Sequence, residues 1–427
     1  MTVNEKLFNY IENSPTPYHA VAHTADILCA EGYTELRESS DWNISAGGKY
    51  YVIRGGSSLI AFRVPSADFK GFMMTAAHSD SPTFRIKESA ELKGQNYVRL
   101  STEKYGGMLC STWMDRPLSV AGRITVKQDT GLKVKLVDIK DPCALIPNVA
   151  IHMNRAANDG YKYNPAVDML PLYSCGTSDV GFKTRVAEAA GVTEENIVSS
   201  DLMLYCKDAG TEWGDYISAP RLDDLQCAFA TLEAFITSKD GGSVPVYCLF
   251  DNEEVGSLTK QGADSTFLYD VLSRVCDAFG GNMRRRVASS FLVSCDNAHS
   301  VHPNHPEFAD ANHTVTMNGG IVIKYNANQK YTSDALSSGI FKVICEEADV
   351  KCQTYANRAD MAGGSTLGNI SNSHVSLNTV DIGLAQLAMH SAYETAGARD
   401  TADMIRALRL FFSKSLGGDL YSDITIE

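Results

Sequence analysis

Residues 244–257 constrain the fold of this chain more than any other stretch. The first seven, Val-Pro-Val-Tyr-Cys-Leu-Phe, form an apolar run typical of the central strand of a parallel sheet. Two adjacent carboxylates, Glu253 and Glu254, come shortly after it. Neighbouring residues of an extended strand point to opposite faces, so these two can serve one site only from a loop beyond the strand. Because open α/β sheets bind ligands at that edge, the stretch predicts a functional site there.

Apolar runs end in comparable residues at two other places in the chain. Residues 71–77 are followed directly by His78, and residues 291–295 are followed directly by Asp296. Strands that lie side by side in a parallel sheet bring their carboxyl ends to one edge. We therefore expect His78 and Asp296 to approach the acid pair.

Two further segments offer side chains of the same type. Asp223 and Asp224 precede apolar residues at helical spacing, which predicts that they occupy the first turn of a helix. His390 follows the short run 386–389. The sequence thus provides two histidines and three or four carboxylates as candidates for one site.

Mixed nitrogen and oxygen donors of this kind suit zinc, and also manganese or cobalt. Five protein ligands favour a pair of ions about 3.5 to 4 Å apart that share one bridging carboxylate and one bridging water. One further carboxylate must then stay off the metals and take a proton from the water. As a general base, such a group contributes typically ~10² to 10⁴ in rate.

Charge and cysteine content exclude several classes of protein. The net charge of −13 argues against nucleic acid and anionic membrane surfaces as partners, since both attract patches of Lys and Arg. Eleven cysteines without a Cys-x-x-Cys pair are typical of a reducing compartment. The first residues do not resemble a signal peptide, and no stretch reaches the ~18 apolar residues of a membrane span. We therefore expect a cytoplasmic protein.

The spacing of the candidate residues predicts two domains. A chain of 427 residues exceeds what one hydrophobic core usually holds. His78 and Asp223 are 145 residues apart, whereas Asp223 and Glu254 are only 31 residues apart. The chain between the first two is rich in alternating strands and turns. We predict a mostly β domain, residues 90–211, inserted into an α/β domain formed by residues 1–89 and 212–427.

Nine stretches together give the chain a specific likeness that runs almost from end to end. These stretches are residues 14–19, 78–82, 105–107, 113–117, 150–152, 219–223, 251–257, 296–304 and 386–391. In them the chain resembles the aspartyl aminopeptidase family of cytosolic dizinc metallopeptidases, and within it the bacterial branch. The resemblance implies a mixed-sheet α/β/α zinc-peptidase domain in which the inserted β domain serves dimerisation.

The resemblance also implies roles for individual residues. Glu253 corresponds to the general base, and Asp80 to the carboxylate that orients a histidine ligand and fixes its tautomer. Asp223 corresponds to the bridge between two zinc ions, although the residues alone leave Asp224 as an alternative. The implied terminal ligands are His78, Glu254, Asp296 and His390.

The implied activity is removal of the N-terminal residue, preferably an acidic one, from short peptides with a free N-terminus. The implied assembly is a tetrahedral homododecamer whose active sites face an internal chamber. An acidic preference needs a cation near the substrate side chain, and Lys324 is the candidate. His299 is a further candidate substrate contact. His152 matches a position that contacts the active site of a neighbouring subunit.

Two other functions remain open from the sequence. A dizinc carboxypeptidase or deacylase could use the same scaffold, and it would differ in not requiring a free amine. A non-catalytic oligomeric particle could keep the shell without the chemistry. The intact acid pair and the two histidines argue against that second alternative.

Overall fold

The computed structural model describes residues 1–176, 180–361, 363–419 and 422–427. The chain forms two compact units. The first consists of Met1–Asp80, Gly210–Met389 and Glu394–Glu427, and the second of Ser81–Ala209 and His390–Tyr393. Within the part of the chain that is described, no helix is both long and apolar enough to cross a bilayer.

The secondary structure alternates between helices and strands, except in the second unit. The α-helices span Val3–Glu12 (α1), Pro17–Ala30 (α2), Phe182–Ala190 (α3), Leu222–Thr237 (α4), Phe267–Ala278 (α5), Met283–Ala288 (α6), Ala335–Glu347 (α7), Leu367–Ser371 (α8) and Asp400–Phe411 (α9). The strands span Thr34–Glu35 (β1), Lys49–Arg54 (β2), Ser58–Arg63 (β3), Phe72–His78 (β4), Thr83–Gly94 (β5), Tyr97–Tyr105 (β6), Leu118–Lys127 (β7), Leu132–Asp138 (β8), Leu172–Cys175 (β9), Ile197–Cys206 (β10), Thr211–Trp213 (β11), Tyr216–Ala219 (β12), Val244–Phe250 (β13), Phe291–Cys295 (β14), Ala298–His299 (β15), Ile321–Tyr325 (β16), Cys352–Ala356 (β17), Asn378–Gly383 (β18), Ala385–Leu387 (β19), Glu394–Gly397 (β20), Leu416–Asp419 (β21) and Asp423–Ile426 (β22).

The first unit is organised around a mixed sheet. Among the described residues its strand order is β1-β2-β3-β13-β4-β14-β18-β16-β17. Strand β13 pairs in parallel with β4 and antiparallel with β3, and β14 pairs in parallel with both β4 and β18. A second sheet of this unit has the order β11-β12-β20-β19-β15. The predicted α/β fold with a mixed sheet is confirmed.

Strand β13 is buried on both faces, as its continuous apolar sequence predicts. Tyr247 and Leu249 pack into a core with residues of α1, α2, α4 and α9. Val246 and Cys248 point the other way, into a core that includes the buried side of α5. Alternate side chains of a strand face opposite sides, so each face needs its own covering layer of helices. The central position predicted for this strand is confirmed.

Register brings the ends of three strands together. Phe250, the last residue of β13, pairs with His78, the last residue of β4. Ser294 of β14 pairs with Ala76 of β4, so β14 also ends at this edge. The loops that follow β4, β13 and β14 therefore start side by side.

Helix α4 begins with an irregular turn. Asp223 and Asp224 lie within its bounds but have non-helical backbone angles, and the peptide bond between them is cis. The two aspartates thus lie in the first turn of α4, as expected, but the backbone of that turn is irregular.

The second unit is mostly β. Its antiparallel sheet, within the described residues, has the strand order β8-β7-β10-β5-β6-β9. Its core includes Phe84, Leu100, Val120 and Leu204, together with Phe182 of α3. Between β8 and β9 the chain runs for more than thirty residues with turns and a short 3₁₀ segment, Ala157–Asp159.

Candidate active site and metal centre

The ends of β4, β13 and β14 place one imidazole among several carboxylates. His78 Nε2 lies 3.6 Å from Asp223 Oδ1, 3.8 Å from Asp296 Oδ1 and 4.0 Å from Glu253 Oε2. The side chains of His78 and Asp223 are almost wholly buried, whereas 16% of the Glu253 side chain is exposed. Glu253 is therefore the member of this group that reaches solvent most.

The donor atoms are close enough together to hold metal ions. Ligand atoms of His78, Asp223, Asp224 and Asp296 lie within 4.8 Å of one another, and so do those of His78, Glu253 and Glu254. In addition, Asp224 Oδ1 is buried and has no hydrogen-bond partner among the described residues. Burying several carboxylates at one point is unfavourable unless a cation neutralises them. The donor types and their burial therefore fit divalent ions such as zinc.

The acid–base behaviour of His78 supports this fit. Burial works against its positive charge, but the Asp224 carboxylate and its neighbours outweigh burial and raise the pKa of His78 well above its ordinary value. The site thus favours a positive charge at the position of Nε2. A metal ion would supply that charge in place of the proton.

His78 is oriented by Asp80, two residues further along the chain. Its Nδ1 donates a hydrogen bond to the backbone carbonyl of Asp80 at 3.0 Å, and the Asp80 carboxylate lies 3.4 Å from the same nitrogen. A carbonyl only accepts, so Nδ1 carries a proton, and Nε2 is the nitrogen that a metal ion would bind in place of a proton. The backbone of Asp80 therefore contributes to the orienting role that was assigned to its carboxylate.

The Asp80 carboxylate has another pair of partners. Its Oδ1 accepts the backbone N–H of Glu253 at 3.1 Å, and its Oδ2 accepts that of Glu254 at 3.2 Å. The acid pair forms a single 3₁₀ turn, Glu253–Val255, which Gly256 closes with a φ of 95°. That angle favours glycine, because side-chain-bearing residues rarely adopt it. The Asp80 carboxylate thus fixes the backbone positions of both glutamates.

The environment of the acid pair favours protonated carboxyl groups in the absence of metal. Burial, and then the charges of Asp296 and other carboxylates, raise the pKa of Glu253 to about 8, although His78 opposes this. Burial and the Asp223 carboxylate raise the pKa of Glu254 well above its ordinary value. Glu253 therefore has the raised proton affinity that a general base needs near neutral pH.

Lys324 lies on β16 and is 2% exposed. Its Nζ donates to the Asp296 carbonyl at 2.8 Å, to Asp296 Oδ2 at 3.2 Å and to the Asn297 carbonyl at 3.4 Å. Burial would lower the pKa of Lys324, but the Asp296 carboxylate outweighs burial and raises it above the ordinary value. The lysine is therefore a buried cation paired with a candidate metal ligand.

Three further predicted residues are His299, His152 and His390. His299 is exposed on β15, and its ring centre is 6.2 Å from that of Tyr355. His152 is exposed in the second unit. His390 also belongs to the second unit, where its Nδ1 donates to the Gly107 carbonyl at 2.5 Å.

Sequence reasoning missed several buried polar residues that support the site. Glu394 is 1% exposed, and its Oε2 accepts the backbone N–H of Asp223 at 3.0 Å. Asn297 donates through Nδ2 to Gln226 at 2.8 Å and to Gln386 at 2.9 Å. The only sequence signal for Asn297 is its position next to Asp296, since an amide in a loop is ordinarily exposed.

Comparisons with known proteins identify the family of this chain. The family model described as aminopeptidase I zinc metalloprotease (M18) matches residues 10–412. The probable M18 family aminopeptidase 2 of Clostridium acetobutylicum is 43% identical over 426 residues, which cover 96% of this chain and 98% of that protein. That likeness extends over nearly the whole length of both chains.

Solved structures show the same likeness in three dimensions. A chain in the cryo-EM structure of the Ape4 and Nbr1 complex matches with a TM-score of 0.92 at 33% identity, over 96% of this chain and 85% of that one. The S. cerevisiae mApe1 dodecamer matches with a TM-score of 0.85 at 29% identity, over 96% of each chain.

Proposed function

This chain belongs to the aminopeptidase I zinc metalloprotease family (M18) and is an aminopeptidase, and from that premise we propose that it removes acidic first residues from short peptides, with two divalent ions and Glu253 as general base. The observation that carries the proposal is the convergence of His78, Asp223, Asp296 and the acid pair at one edge of the sheet. Zinc is the proposed metal, and manganese or cobalt would suit the same donors.

We propose Asp223 as the bridging ligand, with His78, Glu254, Asp296 and His390 as the others. Asp223 lies among the donors around His78, and it is also the carboxylate whose charge most raises the pKa of Glu254. Asp224 instead accepts the backbone N–H of His78 through Oδ2. For His390, the bond from Nδ1 to a carbonyl supports Nε2 as the ligand atom.

Glu253 is proposed to move the proton during hydrolysis. Two divalent ions, when bound, lower the pKa of water and polarise the scissile carbonyl. Glu253 Oε2 would take the proton from the water and pass it to the leaving amine. Its partial exposure and the anchoring of its backbone by Asp80 support this role.

The preference for acidic first residues rests on the family resemblance. The protein carries a net charge of −13, which opposes an acidic peptide unless a local cation compensates. Lys324 remains the proposed cation. Its bonds to Asp296 and Asn297 mean that it would act through its charge rather than through a direct bond, unless those bonds are given up.

We propose a cytoplasmic homododecamer. The dodecameric mApe1 structure, matched over 96% of both chains, supports the assembly. The cysteines are all free thiols, as in a reducing compartment. His299 and, from a neighbouring subunit, His152 are proposed substrate contacts.

The test is Glu253→Gln in the full chain. The amide keeps the size of the side chain but cannot take a proton, so we expect zinc content to be unchanged and kcat to fall by ~10² to 10⁴. Glu103→Gln, at an exposed position of β6, is the matched control. Near-normal turnover of the Glu253→Gln enzyme would refute the base assignment.

A peptide panel separates this proposal from its closest rival. An aminopeptidase requires a free N-terminal amine, whereas a carboxypeptidase or deacylase does not. We expect hydrolysis of Asp- and Glu-initiated peptides and no hydrolysis of the same peptides after N-acetylation. Cleavage of the acetylated peptides would favour the rival.

A further inference from the structure

We infer that Lys324 is a positioning residue that holds Asp296 in the geometry needed to bind metal. The inference rests on the proposed function, because it concerns the same metal centre. It differs from the expectation that Lys324 contacts the substrate. The observations that carry it are the partners of the lysine ammonium group and the immobilisation of residues 296 and 297.

The ammonium group of Lys324 donates hydrogen bonds to Asp296 at two atoms. It donates to the backbone carbonyl at 2.8 Å and to Oδ2 at 3.2 Å, so it links the main chain and the side chain of one residue. The carboxylate can then rotate little about its side-chain bonds. Its other oxygen, Oδ1, is left 3.8 Å from His78 Nε2, within the group of donor atoms.

All three protons of the ammonium group have acceptors within this chain. A lysine ammonium has three donors, and the third points to the Asn297 carbonyl at 3.4 Å. A substrate carboxylate could bind Lys324 directly only by replacing one of these acceptors. Two of the three acceptors belong to Asp296. Replacing either of them with a substrate carboxylate would therefore loosen a proposed metal ligand while the substrate is bound.

A second set of contacts immobilises the same segment from another direction. The Asn297 amide donates to Gln226 and Gln386, and all three side chains are at most 3% exposed. Gln226 lies three residues after Asp223 on α4. Hydrogen bonds thus connect the loop that carries Asp296 to α4, which carries the proposed bridging ligand Asp223. Lys324 adds a hydrogen bond to the Asp296 carboxylate itself.

The test measures zinc affinity directly, by competition with a chromophoric chelator, on the full chain. Residues that orient a metal ligand typically contribute 10- to 100-fold to affinity. We therefore expect Lys324→Met, which keeps the length of the side chain, to weaken binding of at least one zinc ion by about that factor. Lys330→Met, at an exposed position beyond β16, is the matched control and should bind zinc like the unmutated chain.

A double-mutant cycle identifies the route of the effect. If Lys324 acts through Asp296, then Lys324→Met should change zinc affinity little in a chain that already carries Asp296→Asn. An equal loss in both backgrounds would overturn the inference. Should Lys324→Met fail to fold, Lys324→Gln, which keeps two donors, is expected to show a smaller loss in the same cycle.

Peptide kinetics provide the second readout. Under this inference Lys324→Met lowers kcat at limiting zinc on peptides with neutral first residues as well as on peptides with acidic ones. Unchanged zinc affinity with a selective loss on acidic peptides would overturn it and make Lys324 a substrate contact. Failure of the proposed function would instead be visible in the unmutated chain, as absence of zinc uptake or of hydrolysis.

Discussion

At the scale of single residues, the metal-ligand candidates share one electrostatic problem. The carboxylates around His78 are buried, and burial together with their mutual repulsion raises the pKa of both glutamates. Bound cations would relieve that repulsion, because they neutralise several carboxylates at once. Metal binding and stability should therefore be coupled at this site.

The raised pKa of Glu253 predicts how the metal-free protein responds to pH. Its folded-state value of about 8 lies above the ordinary value of 4.5. Between these values the folded protein holds a proton that the unfolded chain releases, so the free energy of unfolding falls as pH rises. We expect the EDTA-treated protein to unfold at a lower urea concentration at pH 8 than at pH 6.

Two comparisons sharpen this measurement. The zinc-loaded protein should show the opposite trend, because ligands that bind metal must lose their protons. Glu253→Gln should reduce the difference between the two pH values in the metal-free protein. Equal stability of the unmutated, metal-free protein at pH 6 and pH 8 would contradict the prediction.

Asp80 leads to a second prediction for a single residue. Its two oxygens accept the backbone N–H groups of Glu253 and Glu254, and an asparagine offers only one acceptor. Asp80→Asn should therefore displace the acid pair and lower kcat by roughly 10- to 100-fold. Steady-state kinetics with metal analysis would check this, and Asp68→Asn, at an exposed position, serves as the control. A kcat within twofold of normal would count against a positioning role for Asp80.

At the scale of secondary structure, the site depends on where strands end and how α4 is held. Register places the ends of β4 and β13 side by side, and β14 ends at the same edge. Helix α4 carries Asp223 at its start, and its other end is fixed by Arg63 of β3. That guanidinium donates to the Phe235 carbonyl at 2.5 Å and to Ser238 Oγ at 2.6 Å. A cation at a helix C-terminus satisfies carbonyls that lack partners within the helix.

We predict that Arg63→Met destabilises the fold. Arg63 is 5% exposed, and its loss leaves the buried Phe235 carbonyl without this charged donor. The free energy of unfolding should fall by about 2 kcal/mol, the typical cost of such a loss. Urea unfolding would measure it, with Lys49→Met on the neighbouring strand β2 as control, because the Lys49 side chain is exposed and contacts the Glu31 carbonyl and the ring of Tyr33. Equal midpoints for the two variants would contradict the assignment.

At the scale of the whole molecule, family membership agrees with the resemblance recognised from the motifs. The family model covers residues 10–412, which span all nine matching stretches. The second unit contains apolar side chains that a monomer would leave in water. Val149, Ile151 and Met153 are 56%, 48% and 86% exposed. Exposed apolar side chains that cluster in this way often mark a contact with another chain.

This cluster predicts the behaviour of the assembly. The proposed dodecamer would have about twelve times the chain mass of 46.4 kDa, which light scattering after size exclusion would measure. Ile151→Glu should shift the mass to smaller species, because a charge would be buried in the interface. Val343→Glu, at an exposed position of α7 in the first unit, should leave the mass unchanged. A monomeric unmutated chain would refute the proposed assembly.

The sequence by itself determined the chemical class of the site and its place in the fold. His78, the acid pair and Asp296 each follow an apolar run, and such runs predict strands whose carboxyl ends meet at one edge. The α/β fold and the central position of β13 follow from the same pattern. These inferences succeed because they depend on residues that are neighbours along the chain.

Only the tertiary structure decided which partners hold those residues in place. The bonds of Lys324 to Asp296, of Asp80 to the acid pair and of Glu394 to Asp223 join segments that are 28 to 174 residues apart in the chain. Composition and periodicity do not indicate which buried donor meets which acceptor, because that pairing depends on how separate elements pack. The irregular backbone at Asp223 and Asp224 is likewise not predicted by helix propensity, which indicates only that a helix begins there.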